Sequence, residues 1–384
     1  MPGRWPLKLA VLMSRNSPWS REAVIRLAAL GHQIHLLEVG VLDRHTYLNV
    51  DDPSQAKDIE EFERSIFIIK RIKPWPVSNL RYVAASWALH RILKNQRCDL
   101  LLTLYGGGFA TMAYLSGFRP YVVYVVGSDV LLGGPVKKSL SRYFFNAASA
   151  VMANGKYLAE RTRELAPKAS VQCLYLGTDT MKFTPASSRS RPVKIVCTRG
   201  FSEIYNNEYL IHALREIPPS TEVFRLTFAA PGPLLNKVRE VADQILSPAI
   251  RSSIEFLGGV GRDRMAELLR DADIYASVSR SDGTSLSLME GLACGLFPVV
   301  SDIPANREWV SNESKNGILV PLDEPKTLAA ALVRAICDRE LCAKAGAYNR
   351  ELILRHADSR RTMAILGHRL EQIASTHRSS MHST

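Results

Sequence analysis

Residues 277–300 read SVSRSDGTSLSLMEGLACGLFPVV. Two acids, Asp282 and Glu290, stand eight positions apart across a segment of Gly, Ser and Thr. Small residues from Glu290 to Gly295 predict a helix opened by the second acid, with an apolar strand at Pro298 and beyond. Polar small residues leading into a helix leave backbone N–H groups without intrahelical partners, and the helix dipole adds positive charge there. Gly283, Thr284, Ser285 and Leu286 are therefore expected to face a phosphate. A carboxylate within the helix, Glu290, can accept from paired hydroxyls such as those of a ribose. Asp282, on the loop just before, is placed to reach whatever is attached beyond the phosphates.

Outward from this stretch, apolar runs alternate with helical periods. Ala272–Val278 predicts the strand that feeds it, and Val193–Thr198 predicts another, ending at Arg199 and Gly200. Glu208–Leu214 and Arg262–Leu269 read as helices, Arg225–Pro231 and Ile254–Val260 as strands. The same alternation fills the first half. Leu7–Met13, Gln33–Val39, Asp99–Leu104, Arg119–Val126 and Ala147–Ala153 are short apolar runs of the kind that buried parallel strands show. Ser20 is expected to cap the first helix and Gly31 to end it. Gly106, Gly107 and Gly108 form a turn between a strand and a helix, a usual place for a ligand. ASSRSRP, 186–192, has linker composition.

D-G-T-S-L-S-L-M-E-G-L-A-C-G-L-F-P-V resembles the Glu-x7-Glu region of retaining GT-B glycosyltransferases, family four in particular, with Asp in place of the first Glu. Leu30-Gly31-His32, Leu174–Pro185 (LYLGTDTMKFTP) and Ile254–Val260 (IEFLGGV) are similar to that family's patterns in the same order. The resemblance implies two doubly wound parallel α/β Rossmann-like domains facing a cleft. It implies an acceptor-side domain over 1–185, joined by a crossing helix in 357–384, and a donor domain over 186–356. It also implies transfer of a sugar from a nucleotide sugar to a saccharide or lipid-linked acceptor, with retained configuration, in cell-envelope or exopolysaccharide synthesis.

Carried over by position, Arg199 faces the donor diphosphate, Asp282 the donor sugar's hydroxyls and Glu290 the ribose. Gly232 and the backbone of Val260 line the nucleotide site, and Asn206 supplies an amide where the family has lysine. Gly127, Ser128 and Asp129 stand where the family has His-Gly-Ser-Asp, with Val126 in place of histidine. Asp129 is then the nearest polar candidate for an acceptor-side base or orienting group, and capping of the next helix would also account for it. Gly107, Gly108, Gly127 and Ser128 are the acceptor-side set. Two other readings share the architecture: a nucleotide-sugar epimerase, and a non-catalytic sugar-nucleotide-binding relative.

Composition bounds the partners. The six cysteines (98, 173, 197, 294, 337 and 342) include no C-x-x-C pair, so neither a zinc site nor a disulfide framework is expected. Asp271-Ala272-Asp273 falls at the amino end of a predicted strand, so no metal or other cofactor is expected. Neither a signal peptide nor a membrane-spanning run is read, which makes a cytoplasmic protein the expectation. The net charge is +12, and eight cations with no acid lie between Arg64 and Arg97, interleaved with Phe67, Trp75, Tyr82 and Trp87. That stretch, 64–97, fits an anionic membrane surface on its inner face, or else a solvated helix face. No nucleic-acid module accompanies it.

Overall fold

The structure is a computed structural model, and it describes residues 6–14, 17–39, 53–72, 81–187, 191–311, 313 and 315–382. The chain forms two compact units. One takes in the described residues up to Leu176, apart from the first residues of its second helix, and resumes at Ser359; the other is Gly177–Asp358. The units thus divide after Leu176, nearer the amino terminus than the linker-like 186–192 suggests. Ser188–Ser190 of that linker lie outside the described residues.

The first unit runs β1 (Lys8–Met13), α1 (Pro18–Ala29), β2 (Gln33–Val39), α2 (Pro53–Arg64), β3 (Ile68–Ile72), α3 (Arg81–Gln96), β4 (Leu100–Leu104) and α4 (Gly108–Leu115). It continues with β5 (Tyr121–Val125), α5 (Ser128–Leu131), α6 (Pro135–Asn146), β6 (Ala150–Ala153), α7 (Lys156–Leu165) and β7 (Val171–Cys173). Its sheet is parallel in the order β3-β2-β1-β4-β5-β6-β7. Alternate residues of β1 enter opposite cores. Leu9, Val11 and Met13 join one core with Val24 and Leu27 of α1; Ala10 and Leu12 join another with Leu89 of α3 and Met112 of α4. Burial on both faces is why these strands read as continuous apolar runs. Helix α1 starts at Pro18, which suits a first helical position, with Ser17 as the N-cap. Ser20 lies inside the helix and does not cap it. Gly31 ends the helix with φ +95°, as expected.

The second unit runs β8 (Val193–Cys197), α8 (Asn207–Arg215), β9 (Phe224–Phe228), α9 (Leu235–Ile245), α10 (Pro248–Ser252), β10 (Ile254–Phe256) and α11 (Arg262–Asp271). Then come β11 (Ile274–Ser277), α12 (Leu286–Ala293), β12 (Phe297–Ser301), α13 (Pro304–Arg307), β13 (Ile318–Val320), α14 (Pro325–Cys337) and α15 (Arg339–His356). Its parallel sheet has the order β10-β9-β8-β11-β12-β13. The last helix, α16 (Ser359–His382), returns to the first unit and buries Met363, Leu366, Leu370 and Ala374 at three- and four-residue spacing against the α1 side of that sheet.

Both sheets reverse winding direction once, between β1 and β4 in one unit and between β8 and β11 in the other. At such a reversal the connections on either side diverge and leave a crevice at the strands' carboxyl ends, where ligands of open α/β sheets bind.

Leu366→Ala in α16 should cost about 2–5 kcal/mol. Hydrogen exchange should then show amides of β1 and α1 losing protection while those of β8 and β12 keep theirs. Uniform loss across both units would contradict the separate cores.

Candidate functional site

The reversal in the second unit gathers Arg199, just past β8, with Asp282 and Ser285, past β11. Arg199 Nη2 donates to Asp282 Oδ2 at 2.6 Å, and Nη1 donates to Ser285 Oγ at 2.9 Å. The guanidinium carbon lies 4.2 Å from the ring centroid of Tyr205. Arg199 is buried. Burial works against its charge, but the Asp282 carboxylate, helped by Tyr205 and Tyr275, more than offsets that and raises its pKa above the ordinary value. Asn207 holds the loop beneath it, donating to the carbonyls of Arg199 and Gly200 at 3.1 Å each.

Helix α12 begins at Leu286, four residues before Glu290. The acid therefore sits inside the helix and does not open it. The reason is Ser285, an N-cap whose hydroxyl accepts from Leu288 N–H. Thr284 and Ser285 are buried in front of the helix, and Asp282 Oδ1 accepts from Gly283 N–H at 2.9 Å. The first-turn amides of Leu286 and Ser287 have no intrahelical acceptor, so the helix presents free amides where the sequence suggests, with a different first residue. The small residues of this stretch serve packing. A Cβ on Gly291 would stand 3.1 Å from the Tyr275 ring, and one on Gly346 of α15 would stand 2.5 Å from Gly295 O. At the other end of α12, Arg350 donates to Ala293 O at 2.9 Å and to Phe183 O and Thr180 O. A cation there complements the dipole and fixes the helix at both ends.

Glu290 is buried, and Oε1 lies 3.9 Å from Arg262 Nη1, a partner that sequence reading missed. Its one signal is position: Arg262 is the first residue of α11, directly after the IEFLGGV stretch. Gly232 follows β9, and a Cβ there would stand 2.4 Å from Phe201 O, so only glycine fits. Val260, half-buried, follows β10. Asn206 hydrogen-bonds away from the Arg199 cluster. Its φ of +55° turns the chain into α8, and its Oδ1 accepts from Arg280, which also pairs with Asp323. Asn206 and Arg280 border a cavity of about 230 Å³ that Lys237 and Glu208 also line.

In the first unit the corresponding reversal carries Tyr105, Gly106, Gly107 and Gly108 at the end of β4. Asp129 is almost fully buried and points inward, where Oδ2 accepts from Gly106 N–H at 2.7 Å and Oδ1 from Gly127 N–H at 2.8 Å. Val126 N–H adds a longer contact. Burial raises the carboxyl's pKa against the pull of these amides. With its oxygens so engaged, Asp129 acts as a clamp between two loops; it neither caps the next helix nor presents an open base. The clamp holds Tyr105 at φ +143°, a conformation that costs a non-glycine residue about 1–3 kcal/mol. Tyr105 Oη lies 3.1 Å from Ser128 Oγ. Gly107 and Gly108 leave no room for a Cβ, which would stand 2.6 Å from the Tyr105 ring and 2.4 Å from the Tyr82 ring respectively.

Among the described residues no group of three His, Cys, Asp or Glu side chains is placed to hold a metal ion. Asp271 pairs with Lys194, and Asp273 accepts from Lys194 N–H, both at the amino end of β11.

Comparison with known proteins decides the family. The model described as Glycosyltransferase Family 4 matches residues 21–182, and that described as Glycosyl transferases group 1 matches residues 192–338. The chain belongs to these glycosyltransferases. The N-acetyl-alpha-D-glucosaminyl L-malate synthase of Bacillus anthracis is 22% identical over 85% of this chain and 86% of its own length. WcaL of Salmonella typhimurium, provisionally named a colanic acid biosynthesis glycosyltransferase, is 26% identical over 43% of this chain; the match spans 42% of that protein. HepE of Anabaena, solved with UDP and glucose, superposes with a TM-score of 0.75 at 16% identity, covering 95% of this chain and all (100%) of that one. Sucrose-phosphate synthase of Thermosynechococcus elongatus gives 0.77 at 14% identity over 99% of this chain and 100% of its own. At such identities these structures establish the GT-B fold.

Removing one member of a buried ion pair strands the other. Asp282→Ala should therefore destabilise this family-four chain on the order of 3 kcal/mol. A cycle with Arg199→Met should show strong non-additivity in urea unfolding; additive losses would mean that the pair does not act as a unit.

Proposed function

We propose that the chain transfers a sugar from a nucleotide-sugar donor to a saccharide or lipid-linked acceptor, with retained anomeric configuration, in cell-envelope or exopolysaccharide synthesis. The observation that carries this is the Arg199–Asp282–Ser285 cluster at the amino end of α12. The C1–O bond to the diphosphate breaks, the acceptor oxygen bonds to C1, and the acceptor's proton passes to an oxygen of the departing diphosphate, where negative charge grows. Arg199 and the amides of Leu286 and Ser287 stabilise that charge, electrostatic groups fixed in advance. Glu290, steadied by Arg262, receives the ribose hydroxyls, and Gly232 and Val260 leave their backbone open to the base. UDP in HepE and the colanic acid biosynthesis in WcaL's name favour this donor and acceptor class.

In the free protein Asp282 occupies the guanidinium that a diphosphate needs. Two anions on one buried cation repel, so donor binding turns Asp282 from Arg199 toward the sugar's hydroxyls. On the acceptor side, Tyr105 and Ser128 present hydroxyls at the turn that Asp129 holds. The guanidinium and helix amides take the charge-stabilising part, so no metal is required. The protein works in the cytoplasm, peripheral to the inner membrane face, with 64–97 contributing to that contact. Lys73 and Trp75 of that stretch lie outside the described residues. Arg64 pairs with Glu60 and Arg71 with Glu38, which leaves Lys70, Arg91, Lys94 and Arg97 among the described side chains for that role.

A donor present at a hundred times its dissociation constant should add about 2.7 kcal/mol to stability. Thermal unfolding with a panel of nucleotide sugars measures this and names the base and sugar. Asp282→Asn removes the competing charge, so it should bind the nucleoside diphosphate several-fold more tightly yet turn over far more slowly. Glu290→Ala should weaken donor binding by about tenfold or more, the loss of charged hydrogen bonds. Turnover should survive chelation by EDTA, and NMR of the product should show the donor's anomeric configuration. Wild-type turnover in both variants would overturn the assignment.

A further inference from the structure

One neighbour of the Arg199 guanidinium has no part yet in the chemistry. The ring centroid of Tyr205 lies 4.2 Å from the guanidinium carbon, the shortest arginine–ring contact among the described residues. Of the arginines in such contacts only Arg199 is buried, and a ring attracts a cation most strongly where water is excluded. The guanidinium is short of other support. Asp282 engages only Nη2 and Ser285 only Nη1, while Nε is buried and has no hydrogen-bond partner among the described residues. Backbone contacts set the ring in place. Glu203–Tyr205 forms a short helical turn in which Tyr205 N–H donates to Ser202 O at 3.0 Å. Ile204 O accepts from Arg280 N–H at 2.8 Å, and Asn206 leaves the turn at φ +55°. A Cβ on Gly200 would stand 3.3 Å from the ring, so a larger residue after Arg199 would crowd the tyrosine.

We propose, on the donor reading given above, that Tyr205 is a positioning residue for the diphosphate: its ring holds the Arg199 guanidinium in place when Asp282 leaves it. In the free protein Asp282 and Tyr205 together offset the burial of the cation. Once Asp282 has turned toward the sugar, the diphosphate is the new anion and the ring is a partner that stays. A neutral aromatic face suits that part. A carboxylate at 205 would compete with the phosphates, and a cation there would repel the guanidinium. The ring takes none of the N–H donors that Asp282 and Ser285 use, so it supports the charge without standing in a phosphate's way. The complex therefore depends on the ring more than the free protein does. Ordinary loop packing would give the reverse: loss of the ring would loosen the free protein first.

Titration calorimetry of the full chain with UDP, GDP and ADP, and NMR titration with the matching nucleosides, test this without a transfer step. Tyr205→Leu should bind the preferred diphosphate about tenfold more weakly, the loss of a desolvated cation–ring contact. Its affinity for the nucleoside and its ligand-free melting temperature should stay at the wild-type values. Tyr205→Phe, which keeps the ring, should restore the diphosphate affinity. Equal diphosphate affinity in Tyr205→Leu and the wild type would overturn the role of Tyr205 and leave the donor reading standing. Equal losses for nucleoside and diphosphate would also overturn it, because the ring would then be contacting the base. So would a fall in the ligand-free melting temperature that accounts for the weaker binding. A wild-type chain that binds none of the three diphosphates would overturn the donor reading, and the role of Tyr205 with it.

Discussion

A buried guanidinium must have an anion beside it. Arg199 is set at the bottom of the crevice where the second sheet reverses direction, and burial of its charge without a partner would cost several kcal/mol. In the free protein Asp282 meets that need. The rest of the site follows from the arrangement. Ser285 accepts from the same cation while capping α12, so the helix end and the guanidinium are registered to each other through one hydroxyl. Arg350 anchors the opposite end of the helix, and glycines at 291 and 346 let it seat closely on β11 and α15. What results is a fixed concentration of positive potential whose counter-anion, in the proposed reaction, is exchanged. A nucleoside diphosphate is a fitting substitute, because its charge can be shared between the guanidinium and the helix amides.

The first unit uses the same topology for a different end. There the buried charge at the sheet reversal is a carboxylate, Asp129, and its partners are backbone amides of Gly106, Val126 and Gly127. Instead of an exchangeable pair this makes a fixed clamp, and the clamp keeps Tyr105 in a backbone conformation that it would otherwise leave. Strain of this kind persists only where surrounding contacts over-determine it. It lies beside the glycine turn, with a hydroxyl pair formed by Tyr105 and Ser128, the surface that the proposed transfer would offer to an acceptor.

Much of this was legible in the sequence because parallel strands buried on both faces appear as plain apolar runs. β2 agrees with Gln33–Val39 residue for residue, and β8 and β11 fall within the expected spans. The placement of Asp282 on a loop leading into a helix was also legible, since a run of small polar residues before an apolar period marks a helix start. The first residue of α12 was not. Glu290 looked like a helix start because acids favour first turns, whereas the cap is Ser285, one of several serines that the sequence alone does not rank. Asp129 was misread because a carboxylate turned inward onto amides from two separate loops has no local signature. Arg262 and Arg280 were passed over for the same reason: their partners, Glu290 and Asp323, are distant in sequence.

The most direct measurement is a crystal structure of the chain with a nucleoside diphosphate. The account predicts phosphate oxygens within hydrogen-bonding distance of Arg199 and of the Leu286 and Ser287 amides, with the Arg199–Asp282 contact opened. A diphosphate bound elsewhere on the chain, or bound with that contact still closed, would contradict it.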